Sequence, residues 1–267
     1  KWRKMLLDKV LAMDETPIKA GRKSKGKMKT GYFWPVYGES NEVVFHFAES
    51  RGLQVIKDLL GKEFKGTLLT DGYKPYESFA KGNSDVIHAE CWVHTRRYFE
   101  RSLGAEPEAA NEALVLIGQL FKIEEEIRTK NLQDEAKLNY RTVHSLPAVE
   151  DFWSWCEKQC YRLELEPSNP LSKALKYARA RVAALKVFLT DPDVPLDTNH
   201  LERSLRPIPM GRRNWLFCWS EMGAKQVAII QSLLVSCKLQ GIDPTTYLID
   251  VLQRVSMHPA KEAWQLA

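Results

Sequence analysis

Apolar residues along this chain follow two rhythms, and the change comes near Trp92. Before it, short apolar runs between polar breaks predict strands over Val10 to Thr16, Thr30 to Tyr37 and Glu42 to Phe47, then a helix over LQVIKDLLGKEF. A strand GTLLTD, a short helix over Tyr73 to Ala80 and a strand DVIHAEC complete this part. From Trp92 to about Thr190 the apolar positions fall three and four apart, as in NEALVLIGQLFKIEEEI and LSKALKYARARVAALKVFL, which predicts amphipathic helices and no strand. The turn-rich DPDVPLDTN leads into a helix whose start is marked by Asp197, Thr198 and Asn199. A short strand-like NWLFCWS, a helix over Ala224 to Leu239 and a last helix opened by Asp243-Pro244 follow.

Three acids stand out by where this pattern puts them. Asp14 in MDETPIKA and Asp71 in LLTDGYKPY each end a predicted strand, and Glu202 in NHLERSLRP lies about one turn into a predicted helix. Taken singly, such an acid is most often a surface residue or a helix cap. Together they supply the hard oxygen donors that two Mg²⁺ or Mn²⁺ ions need for cutting and joining phosphodiesters. The element order matches the first part of an α/β, ribonuclease H-like mixed sheet, in which the first and fourth strands lie side by side and bring Asp14 and Asp71 together. On this reading residues 1–91 and 197–267 form the catalytic core with C-terminal helices, and 92–196 form a large all-helical insertion before the Glu.

Composition narrows the classes. With 267 residues, 44% hydrophobic and 27% charged, the chain can bury a sizeable core and does not read as disordered. Its longest apolar runs are too short for a membrane span and KWRKMLLDKV lacks the apolar stretch of a signal peptide, which together predict a cytoplasmic protein. The absence of an initiating methionine points to an upstream segment. Five scattered cysteines form no disulfide framework, in keeping with reduced thiols. The net charge of +5 is uneven: residues 1 to 30 carry ten Lys/Arg against Asp8, Asp14 and Glu15, leaving the remainder slightly acidic. The densest part, GRKSKGKMKT, reads as a mobile hairpin loop whose Lys23, Lys25 and Lys27 suit a phosphate backbone, or as a solvated loop that keeps the protein soluble.

The segments DET, TDGYKPY, CWVHTRRYF, LDTNHLERSLRP, GRRNWLF and KLQGIDPTTYLIDVL, in that order, resemble the DDE transposases of the insertion sequence 66 family. The resemblance covers nearly the whole chain, with the helical region before the Glu matched by type and place more than by residue. It implies a ribonuclease H-like catalytic core and a divalent-metal mechanism that nicks transposon ends and joins them to target DNA. Asp14, Asp71 and Glu202 become the catalytic and metal-binding triad, with two Mg²⁺ or Mn²⁺ ions and no other cofactor. DNA is the partner, with no membrane, and a homo-oligomer on DNA is left open. Family members also carry upstream helix-turn-helix and zinc-binding regions, which this chain lacks. A different ribonuclease H-like nuclease, and a catalytically silent DNA-binding protein derived from a transposase, are the competing readings.

Around the triad, several residues admit two roles. Cys91 and His94 have the spacing of half a zinc site, but the other half is missing, and Cys156 with Cys160 does not complete it. The resemblance offers His94 a role in ordering the site or meeting a phosphate, with Arg96 and Arg97 following on the same helix; the plain alternative is a helix-start histidine beside two exposed arginines. Arg203 and Arg206 share a helix face, and Arg212 and Arg213 read as a basic turn at the edge of a strand. All four suit phosphate contacts, or ordinary solvation and pairing with Asp197 or Glu221. Trp153 and Trp155 suit the core better than stacking on an unpaired base.

Overall fold

The N-terminal third is built around one long strand. In the computed structural model, which describes residues 2–162 and 164–259, helix α1 (Trp2–Met5) precedes strands β1 (Val10–Met13), β2 (Thr16–Ser24), β3 (Lys27–Gly38) and β4 (Glu42–Ala48). Residues 1 and 260–267 of the expected core, and residue 163 of the expected insertion, lie outside the described residues. Strand β3 pairs antiparallel with β4 on one side and with both β1 and β2 on the other. Helix α2 (Leu53–Leu60), β5 (Gly66–Thr70), α3 (Lys74–Lys81) and β6 (Val86–Glu90) follow, and the strand path runs β2-β3-β1-β5-β6. The expected neighbours, the first strand and GTLLTD, are therefore adjacent as β1 and β5. Both are almost wholly buried, as central strands with apolar side chains on both faces should be.

The basic segment departs from expectation. GRKSKGKMKT forms the facing arms of the β2–β3 hairpin, closed at Lys25-Gly26, with Ser24 opposite Lys27 and Arg22 opposite Met28. Gly26 takes φ +71, a conformation a tight turn demands and only glycine adopts without strain. The run reads as a loop because it holds few apolar residues; the pairing comes from the aromatic strand beside it, which carries β2 along.

Contacts divide the chain into two compact units, one of residues Lys1–Leu68, Pro75–Ile87 and His200–Ala267, the other of Leu69–Lys74 and His88–Asn199. In the first, helix α10 (Asn199–Leu205) leads to α11 (Pro207–Trp215), α12 (Glu221–Leu239) and α13 (Pro244–Val255). Helix α12 covers the outer edge of β4: Val43 and Phe45 donate their N–H groups to Ser236 Oγ (3.1 Å) and Ser232 Oγ (2.8 Å), and Ser236 donates back to the Val43 carbonyl. Ladder groups that would otherwise seek another strand are thus satisfied by side chains. Asp243 caps α13 by accepting from the Thr246 N–H at 2.7 Å, as its place before Pro244 predicts.

The second unit carries the predicted helices: α4 (Trp92–Glu100), α5 (Pro107–Thr129), α6 (Asp134–Tyr140), α7 (Leu146–Cys160), α8 (Pro170–Arg179) and α9 (Val182–Lys186). Trp92 is fully buried against Phe152 (5.3 Å) and Phe188 (6.5 Å), and its indole N–H reaches the Leu185 carbonyl at 2.8 Å. Trp153 and Trp155 pack on the same aromatic group, Trp153 against Trp92 and Trp155 against Phe99. Arg141, fully buried in a π-helical turn, pairs with Glu124 through two bonds of 2.8 and 2.9 Å and donates to the Phe188 and Asp191 carbonyls. The two ends of the helical run meet, with Trp92 N–H donating to the Leu196 carbonyl (3.1 Å) and Thr198 N–H to Cys91 Sγ (3.3 Å).

Candidate active site

Asp14 owes its position to a proline across the ladder. The register that pairs Ala12 with Tyr37 and Met13 with Val36 continues unbroken to Thr16 with Phe33, so β1 and β2 are two halves of one line and Asp14 lies opposite Pro35. Asp14 donates its N–H to the Pro35 carbonyl (3.4 Å), but Pro35 has no N–H to return. The ladder opens at Asp14-Glu15 for that reason, and the Asp14 carboxylate accepts from the Glu15 N–H at 2.7 Å. The run expected as one strand from Val10 to Thr16 is therefore split, with β1 ending at Met13, β2 starting at Thr16 and the acid at the break.

Glu15, which the sequence reading passed over, is the most enclosed acid of this region. Its side chain is fully buried, accepting from Arg51 Nε at 2.6 Å and from the Tyr76 hydroxyl at 2.6 Å. Tyr76 belongs to the TDGYKPY segment, so α3 is tied to the turn after β1. Glu15 and Tyr76 lie in two segments that carry the resemblance, DET and TDGYKPY, but nothing in periodicity marks a buried acid.

Glu202 is half-buried on α10, behind a cap in which Asp197 accepts from the Asn199 N–H (2.9 Å) and side-chain amide (2.8 Å). At the start of that helix His200 lies edge-on against Tyr37, ring centroids 4.6 Å apart, and Tyr37 is the ladder partner of Ala12. Helix α10 is thereby seated on the strand pair that carries Asp14.

Asp71 begins a turn immediately after β5. Its Oδ1 accepts from the Tyr73 N–H at 2.9 Å, a side-chain-closed turn that fixes the carboxylate relative to its own backbone. Arg181, from the start of α9, grips the same turn: one guanidinium nitrogen donates to the Gly72 carbonyl (2.8 Å), another to the Tyr177 carbonyl (3.0 Å), and Nε pairs with Glu90 at 2.8 Å. The guanidinium also lies 3.7 Å from the centre of the Tyr177 ring, and burial pushes the Tyr177 hydroxyl upward. A Cβ on Gly72 would collide with the Arg181 guanidinium and the Tyr177 hydroxyl, which explains a glycine after Asp71 at an ordinary backbone angle. Arg181 was also missed, because a cation inside a helical pattern looks like part of a solvated face.

Cys91 and His94 each have protein partners. Cys91 is buried, its thiol pushed up by burial and accepting from Thr198, while His94 Nε2 stands 3.3 Å from Arg97. Among the described residues no three His, Cys, Asp or Glu side chains are gathered closely enough to hold a metal ion.

The basic candidates fall into separate places. Lys23, Lys25 and Lys27 are exposed on the β2–β3 hairpin, and Arg96, 3.4 Å from Glu100, is exposed on α4 with Arg97 half-buried beside it. Arg203 and Arg206 are exposed on α10 and at its junction with α11. Arg212 and Arg213 lie on α11, not in a strand-edge turn, because Pro207 opens a helix that runs on through Asn214 to Trp215. Arg212 donates to the Pro17 carbonyl, and Glu221 pairs with Lys29 at 2.6 Å instead of with these arginines. The strand-like NWLFCWS shrinks to one bridge, Cys218 with Ala20.

Residues 2–226 match the profile of the transposase IS66 family, and residues 232–267 that of the IS66 C-terminal element. The chain belongs to the IS66 transposase family. It is similar to three uncharacterized proteins of Sinorhizobium fredii: y4qI (32% identical, 93% of this chain and 48% of the relative), y4hP (31%, 95% and 49%) and y4jD (30%, 95% and 53%). The chain thus spans about half the length of these relatives. No described helix is long and apolar enough to cross a membrane.

Proposed function

We propose that this chain is the ribonuclease H-like catalytic core of a cytoplasmic DNA transposase. On this reading Asp14, Asp71 and Glu202 hold two divalent cations, Mg²⁺ or Mn²⁺, while transposon ends are nicked and joined to target DNA. The observation that carries the reading is the placement of two acids: Asp14 and Asp71 follow directly on β1 and β5, neighbours in the sheet, each with its carboxylate tied to the backbone of its own turn, in a chain of a transposase family. The donor chemistry suits such ions, since three carboxylates satisfy a hard cation without thiolate or imidazole. The reading requires the carboxylates to draw in as the ions neutralise their mutual repulsion. When bound, a pair of such ions activates the attacking water or 3′-hydroxyl and stabilises the leaving oxygen.

The chain's own residues do the positioning. Pro35 opens the ladder so that Asp14 is not held in continuous pairing, Arg181 fixes the Asp71 turn, and the His200 contact seats the helix of Glu202. Residues 92–196 are the helical insertion that intervenes before Glu202. Lys23, Lys25, Lys27, Arg203, Arg206, Arg212 and Arg213, with His94, Arg96 and Arg97, are the proposed phosphate contacts, and such contacts make DNA binding fall steeply with salt. The test is a nicking and strand-transfer assay with Mg²⁺ on the wild type and on Asp14→Asn, Asp71→Asn and Glu202→Gln. Each variant should lose nearly all activity with its fold intact. Cutting without joining would replace the transposase reading with a plain nuclease, and salt-sensitive DNA binding without any cutting would leave a DNA-binding protein.

A further inference from the structure

Beyond the three acids and the cations assigned to phosphates, the first unit carries exposed aromatic rings that the proposed chemistry does not use. After α11 the chain reverses through Leu216, a non-glycine residue at φ +57, and the Phe217 N–H turns back onto the Trp215 carbonyl at 2.5 Å. Such a three-residue turn is strained for a β-carbon residue and persists only where the surroundings impose it. Here the surroundings are the edge of β2. Cys218 donates its N–H to the Lys19 carbonyl (2.8 Å) and accepts from the Gly21 N–H (3.3 Å), at the point where β2 bulges. Gly21 sits at φ +70 with Glu221 packed where a side chain would be, and Glu221 is held by Lys29.

Seating Cys218 inward turns its neighbours outward. Phe217 is 37% and Trp219 80% exposed, their ring centres 6.2 Å apart. Trp215 folds over Gly211, one helical turn back, where a Cβ would meet the indole. These rings border a cavity of about 420 Å³ that Val227 and Ile230 of α12 also line. Cations lie nearby in the chain on both segments that meet here: Arg212 and Arg213 precede Trp215 on α11, and Lys23, Lys25 and Lys27 follow Ala20, the residue of the β2–β3 hairpin that Cys218 bridges. Among the described residues Lys23, Lys25, Lys27 and Arg213 make no ion pair.

We propose that Trp215, Phe217 and Trp219, with Arg213 and the β2–β3 hairpin, form a binding site for the unpaired bases of single-stranded DNA. Aromatic faces accept any base by stacking, and the cations of the same segments follow the phosphates, a combination that suits a single strand better than a closed duplex whose bases offer no free face. Exposed apolar rings alone would fit many occupants; their place on segments that also carry cations without ion pairs favours a polyanion that carries planar apolar groups. The inference rests on the reading that the chain acts on DNA.

The experiment measures fluorescence anisotropy of a labelled oligothymidine and of a blunt mixed-sequence duplex with the full chain at fixed salt. Trp219→Ala should weaken oligothymidine binding roughly 5- to 100-fold and duplex binding by less than about twofold, and Trp219→Phe should keep most of the affinity. Trp219 is exposed enough that its loss leaves the fold in place, which thermal melting checks. Equal losses on both DNAs, or none on either, overturn the stacking site while leaving the DNA reading standing. No binding to either DNA overturns both. Self-association of the wild type that Trp219→Ala abolishes, or binding to phosphatidylserine vesicles with the same loss, would assign the surface to a second copy or to a lipid and overturn the proposal.

Discussion

Beside Asp14 an acid sits at the centre of a buried polar cluster, and beside Asp71 a base does. Glu15 gathers Arg51 and the Tyr76 hydroxyl onto its two oxygens, while Arg181 spreads its nitrogens over Glu90, Gly72 and Tyr177. The two clusters use the same residue types in opposite order. A carboxylate has acceptor sites only, so Glu15 joins side chains that donate; a guanidinium has five donors in a plane, so Arg181 reaches carbonyls and can hold a loop by its backbone. The difference explains why the Asp71 turn depends on a side chain from the helical unit, whereas the Asp14 turn is shaped by its own strand partner, Pro35.

Removing the base should do the most damage. Arg181→Met takes the arginine from Glu90, which is 7% exposed, and the donor from the Gly72 carbonyl, and should cost about 3–5 kcal/mol in urea unfolding. A loss below about 1 kcal/mol would show that Arg181 is not the centre of its cluster.

Acid should act on the first unit. His46 is half-buried with its ring 4.4 Å from that of Trp2, and its desolvation lowers its pKa from 6.5 to about 4. Between those values the unfolded chain holds a proton that the folded chain refuses. The stability is fully present above about pH 6.5, falls as pH drops toward 4 and is not reduced further by this group below that. The loss is on the order of 3 kcal/mol, and His46→Phe, which keeps the ring, should flatten that part of the stability curve. An unchanged slope would place the acid sensitivity elsewhere.

A methyl group tests the grip on the Asp71 turn. Gly72→Ala forces the Arg181 guanidinium and the Tyr177 hydroxyl aside and should cost about 1–3 kcal/mol. Measured in the Arg181→Met background, the cost should shrink, because the clash has lost one partner. Strict additivity would mean that the two do not meet in solution.

The smallest effect belongs to the acid-centred cluster. Tyr76→Phe removes one hydrogen bond to Glu15 and leaves Arg51 in place, for about 1.5 kcal/mol by thermal melting. A loss as large as that of Arg181→Met would erase the contrast between the clusters.

Local patterns decided a good part of this protein. Chain rhythm alone placed β3 to β6, the helices beyond Trp92 and the Asp243 cap, because side-chain period and capping chemistry are properties of neighbouring residues. The acids at the strand ends and in the helix after Asn199 were legible for the same reason. The hairpin within GRKSKGKMKT was not, since its pairing is enforced from β3 and not from its own composition. Nor was the helix over GRRNW, where an N-terminal proline and α-helical continuity override a strand-like apolar run. Glu15, Arg181 and Gly72 carry no local mark at all: a buried ion pair is written in two places of the sequence at once, and only tertiary structure brings them together. Asp14 lies between these cases. The acid could be read from its strand, but the opening that frees it comes from Pro35, set opposite by a register that no single stretch of the chain contains.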